Sequence, residues 1–136
     1  GVLSTGTGTQ ATKIGDLSEV SKETTGIDTS STAVQTLYTV PTSKVFWPEK
    51  ILIRDASADI TLATMTFGCE DHTGGAAVNF NAGTITLALT SGTEQLWVYS
   101  VAGGSECPAA STFAVDTVAQ EGAADTVTIE VFGVVR

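Results

Sequence analysis

From about residue 34 the chain is a succession of short alternating segments, cut by turn residues at intervals of roughly 8–12 residues. Residues 34–40 (VQTLYTV) set Val34, Thr36, Tyr38 and Val40 against Gln35, Leu37 and Thr39. A Pro-led turn (PTSK) opens a β-rich run over 44–55, which Pro48 marks as an edge, a bulge or a break between two strands, because proline donates no ladder hydrogen bond. Residues 60–67 place Ile60, Leu62, Thr64 and Thr66 on one face and Thr61, Ala63, Met65 and Phe67 on the other, before a polar loop at 68–75. Short strands are expected at 76–80, at 84–90 (Ile85, Leu87 and Leu89 on one face), at 95–101 and at 111–118. The last segment, 125–135, carries Val127, Ile129, Val131 and Gly133 on one face. About eight strands with short turns predict an all-β fold, an antiparallel β-sandwich of jelly-roll-like type.

Composition agrees with this reading. Threonine occurs 23 times, and its β-branched, hydroxyl-bearing side chain suits the wet face of a strand. Charged residues make up only 15% of the chain, against roughly 25% in an average soluble domain. The balance is acidic, with 15 Asp and Glu against 6 Lys and Arg, and between Asp55 and Val135 ten acids stand without a base. Such a surface repels nucleic acid and resists non-specific association. Apolar runs are too short for a membrane-spanning helix.

Residues 1–33 read differently. They are rich in Gly, Ser and Thr, hold no aromatic residue, and have Val2, Leu3, Ile14, Leu17, Val20 and Ile27 as their few apolar positions. Such a segment buries too little apolar area to offset its ordering entropy alone. It is expected to be an extended N-terminal arm (1–33) before a sandwich domain (34–136), with those six residues as anchors on a neighbouring molecule. A short helical turn through Ile14, Leu17 and Val20 is an alternative at this point. No signal peptide is visible in the first residues, and although Gly1 and Thr5 fit the loose myristoylation pattern, no basic cluster follows to add a second anchor.

Candidate chemistry is sparse. Cys69, Glu70, Asp71 and His72 are the densest set of potential metal ligands, but four adjacent residues cannot converge tetrahedrally on one ion. His72 is the only histidine, and no G-x-S-x-G elbow accompanies it. No catalytic residue, cofactor or metal is therefore assigned, and the chain is read as a non-enzyme. Cys69 and Cys107 lie in Gly-flanked stretches between strands and are either a disulfide or two free thiols. Trp47, Trp97 and Tyr99 are candidates for a subunit interface or a glycan-stacking platform.

Residues 37–57 (LYTVPTSKVFWPEKILIRDAS), with the terminal strand DTVTIEVFGVVR, resemble small structural proteins of tailed-bacteriophage virions, among them head decoration or cement proteins. The resemblance covers about residues 35–136, and the family's Gly/Thr-rich arm would correspond to 1–33. It implies a protein made in the host cytoplasm that sits on the capsid exterior. It would bind the major capsid protein and neighbouring copies of itself, with a trimer favoured and with no nucleic acid or membrane partner. Deleting 1–33 is then expected to abolish capsid binding and leave a folded domain. The competing expectation is a carbohydrate-binding or adhesive β-sandwich, either tail-associated or secreted.

Overall fold

The computed structural model describes residues 17–70, 80, 84–98 and 106–136. Eight strands follow one another: β1 (Ser18–Asp28), β2 (Gln35–Thr39), β3 (Phe46–Arg54), β4 (Thr64–Glu70), β5 (Ile85–Thr86), β6 (Gln95–Val98), β7 (Thr112–Ala119) and β8 (Thr126–Val135). They form two antiparallel four-stranded sheets. Sheet I has the order β1-β8-β3-β6 and sheet II the order β2-β7-β4-β5. Successive strands switch sheets everywhere except from β4 to β5, which gives the two Greek keys of an eight-stranded jelly roll.

The core lies between the sheets. Along β8, Val127, Ile129 and Val131 point inward, as their alternation predicts, and Ile51 and Ile53 of β3 join them from the same sheet. Sheet II contributes Leu37, Met65, Phe67, Phe113 and Val115. A chain of rings crosses the interior: Tyr38 to Phe46 at 4.8 Å, Phe46 to Phe113 at 5.9 Å, Phe113 to Phe80 at 5.8 Å and Phe80 to Phe67 at 6.4 Å. All four pairs are tilted or edge-to-face, the arrangement the ring quadrupoles prefer.

Three sequence expectations need correction. First, residue 33 does not separate an arm from the sandwich. Ser18–Asp28 is the edge strand of sheet I, paired along β8 from Ser18↔Val135 to Asp28↔Thr126, and Ser18–Val20 is strand and not helix. Gly26, at φ +69°, takes the left-handed conformation where the register shifts between Thr24 and Ile27, which a residue with a Cβ adopts only with strain. Ile27 then enters this chain's own core, 3% exposed. Second, the strand expected at 60–67 starts at Thr64 and runs on through Gly68 and Cys69, which read as loop. Third, Ile60, Leu62 and Thr66 do not share a face as the alternation predicts: Ile60 and Thr66 are buried, while Leu62 points out to solvent. Of the three readings left open at Pro48, the structure has the bulge: β3 runs through it, with a register shift between Pro48 and Lys50.

The late start of β4 has a cause in Glu121. Its carboxylate accepts hydrogen bonds from the backbone N–H groups of Thr61 (3.2 Å), Leu62 (2.9 Å) and Ala63 (2.9 Å), so these groups are satisfied without a ladder partner. Burial pushes the Glu121 pKa up, but the three N–H donors outweigh it and hold it below the ordinary carboxylate value. A group with a depressed folded pKa adds stability above its unfolded pKa and loses it as pH falls through the folded one. Glu121→Ala is expected to cost about 2–3 kcal/mol at neutral pH. That difference from wild type should shrink below the ordinary carboxylate pKa, as read from urea midpoints measured across the acid range.

Candidate functional site

The outer face of sheet I brings the exposed Leu96 and Val98 together with cationic side chains on one surface. Its register sets the rows. Trp47 of β3 lies beside Val134 of β8 and Glu19 of β1, Lys50 beside Phe132 and Ser21, and Leu52 beside Glu130 and Glu23. On the other side of β3, β6 places Val98 opposite Lys50 and Leu96 opposite Leu52. Leu96 and Val98 are 58% and 65% exposed.

Two cations lie over rings on this face. Lys50 Nζ stands 5.2 Å from the Phe132 centroid, and the Arg136 guanidinium 4.9 Å from that of Trp47. Arg54 closes the face with carboxylates on three sides, bonded to Glu23 and Asp55 and 3.6 Å from Glu130. The hydrogen bonds to Glu23 and Asp55 raise the Arg54 pKa, so it stays charged. Glu130 also accepts from Ser21 Oγ at 2.8 Å. Where β3 bulges after Pro48, the surface dips into a depression of about 470 Å³ between Glu19 and Ser21, Glu49 and Lys50, and Phe132 and Gly133. All five described bases (Lys22, Lys44, Lys50, Arg54 and Arg136) lie on sheet I or at its ends, while β2, β4, β5 and β7 carry none. The face therefore mixes apolar rows, ring-bound cations and an ionic cluster, which is the chemistry of a contact surface.

The residues singled out from sequence fall as follows. Val2, Leu3, Ile14, Asp71, His72 and Tyr99 lie outside the described residues. Leu17 is exposed just before β1, whereas Val20 packs against the core and Ile27 is within it. As anchors on another molecule, Val20 and Ile27 are thus replaced by roles inside this chain. Trp97 faces inward and packs on the core, and its indole N–H finds no partner among the described residues. Trp47 is on the outer face, but its ring already carries Arg136. Trp97 is thus turned away from the outer face, and Arg136 occupies one side of the Trp47 ring.

Cys69 and Cys107 form a disulfide with Cα atoms 5.3 Å apart, so Cys69 offers no thiolate to a metal. Cys69 belongs to β4 of sheet II. Cys107 exchanges two backbone hydrogen bonds (3.0 and 2.7 Å) with Phe46 of β3 in sheet I. The bond therefore staples one sheet to the other. Leu62, Leu96 and Val98, the most exposed large apolar residues, escaped sequence reasoning, because an apolar residue in an alternating segment reads as core whichever way it faces.

No protein-family model and no curated protein matches the chain. Among solved structures, it is similar to a chain of the acidic stable capsid structure of Helicobacter pylori bacteriophage KHP30. The TM-score is 0.50 and the identity 11%, over 87% of this chain and 86% of that one. At that identity the likeness is one of fold: this chain shares its sandwich with a chain found in a phage capsid structure.

Proposed function

We propose that this chain is a structural protein of a bacteriophage virion, of the decoration or cement kind, which binds the exterior of the assembled head and strengthens it. The observation that carries the reading is the eight-stranded jelly roll, similar along nearly its whole length to a chain of a phage capsid structure. Jelly rolls recur in viral capsid domains. The partly apolar outer face of sheet I supplies a surface for contact, and the inter-sheet disulfide suits a particle that works in an oxidising medium after release from the cell. Its partners on this reading are the major capsid protein and neighbouring copies of itself, with a trimer favoured and no catalytic step.

Of the arm expected at 1–33, residues 1–16 lie outside the described residues, and on this reading they are a segment that docks on the partner. Each such contact is weak alone but acts at high effective concentration once the sandwich is docked. The deletion that tests it is 1–16, because deleting 1–33 also removes β1 and takes Ile27 from the core. Full-length protein is expected to co-sediment with assembled heads of the phage that encodes it. The 1–16 deletion should keep its unfolding midpoint and bind at least tenfold more weakly. Full retention of binding by the deletion would remove the arm from the account, and failure of the full-length chain to bind would remove the decoration role.

A further inference from the structure

We infer that the open edge of β6 is a self-association strand, at which two copies of this chain pair antiparallel about a two-fold axis and join their sheets I. Four strands end the two sheets: β1, β6, β2 and β5. Natural sheets protect such edges with charge, bulges, shortness or cover. β1 has Glu19, Lys22, Glu23 and Asp28 and a bulge. β2 is tied to β1 at the sandwich corner, where Gln35 Nε2 donates to Asp28 O, Gln35 Oε1 accepts from Asp28 N, both at 3.0 Å, and Thr24 Oγ1 donates to Leu37 O. β5 is two residues long. β6, with the sequence QLWV, has no charge, no bulge and no proline, and pairs β3 on one side through Lys50–Ile53.

The occupant follows from charge and pattern. The chain carries a net charge of −9, so two copies repel wherever acids meet. Beside β6 the row neighbours are Lys50 and Leu52, and among the described residues the acid next to the strand in sequence, Glu94, lies beyond its end. A second β6 is an uncharged apolar strand present at equal concentration and self-complementary. Aligned antiparallel about Trp97, Leu96 comes opposite Val98 of the partner subunit, and Val98 opposite the partner subunit's Leu96. The two exposed side chains of each copy then form one strip flanked by Leu52 of each sheet. A four-residue strand buries little surface, so the pairing is weak and concentration-dependent. It concerns the free chain, stands apart from the virion reading, and adds a two-fold contact to any assembly the chain forms.

Sedimentation equilibrium of the full-length protein from about 1 μM to about 1 mM tests it. The expected result is a doubling of mass at high concentration, whatever the starting unit. In Leu96→Glu/Val98→Glu the doubling should move to at least tenfold higher concentration, with the unfolding midpoint unchanged. Val118→Glu, placed on sheet II at a residue 53% exposed, should double like wild type. Wild type that never doubles, or a double variant that doubles as wild type does, would overturn the pairing.

Discussion

Gly133→Ala is expected to lower stability by about 3 kcal/mol or more, because the new methyl has no space and its neighbours cannot yield. A Cβ at Gly133 would fall 2.6 Å from Phe46 Cε1 and closer still to the carbonyl oxygen of Trp47. The oxygen belongs to the backbone of β3, which is paired through Trp47↔Val134 and Pro48↔Gly133. The ring of Phe46 is fully buried and is held by Tyr38 and Phe113. Relief therefore requires β8 to move away from β3, and β8 is also the strand that orders β1. A domain with about 5–15 kcal/mol in hand loses a large part of it. Urea unfolding measures the change. Phe46→Leu in the Gly133→Ala background should recover only part of the loss, since the Trp47 carbonyl remains. A single-variant loss under 1 kcal/mol would mean that β8 shifts freely.

The second large effect is expected from the disulfide. Cys69 and Cys107 are 38 residues apart, and closing a loop of that length removes unfolded-state entropy worth about 4 kcal/mol. The native geometry adds a reason for the link to matter. It joins β4 directly to the residue that holds Phe46 by two backbone hydrogen bonds, so it reinforces the same corner that Gly133 keeps clear. Cys69→Ala/Cys107→Ala is expected to melt about 10–20 °C below wild type. Reductant should lower the wild-type melting temperature by a similar amount and leave the variant unchanged. If reduced and oxidised wild type melted together, the bond would carry no stability.

Much of the sandwich is legible in the sequence because one face of each central strand is buried. Val127, Ile129 and Val131 in β8, and Phe113 and Val115 in β7, face the core as their period of two requires. Ile85, Leu87 and Leu89 are buried together as read, although only Ile85–Thr86 is a strand; Leu87 N–H donates to the Ala63 carbonyl, and Leu89 exchanges two backbone hydrogen bonds with Ile60. β1 was hidden because most of Ser18–Thr24 is exposed, so its order comes from the backbone ladder with β8 and leaves no hydrophobic alternation to read. Its remaining signal was Val20, Thr24, Thr25 and Ile27 around a glycine, a β-branched run with a bulge residue. The Glu121 cradle was hidden because a carboxylate in a turn looks like any solvated acid until residues 61–63 are brought to it. The contact face was hidden for the same reason: Trp47, Lys50, Phe132, Leu96 and Val98 become neighbours only once β6, β3 and β8 are laid side by side. The pairing of Cys69 with Cys107 likewise depends on which strands meet, which spacing alone does not state.

The proposed virion role is tested most directly by quantitative mass spectrometry of gradient-purified particles of the phage that would encode this chain on that reading, with heads separated from tails. The account predicts the chain in the head fraction at a fixed molar ratio to the major capsid protein, and its release from the outside of intact heads by reductant with mild denaturant. Its absence from purified particles, or its presence in the tail fraction alone, would contradict the account.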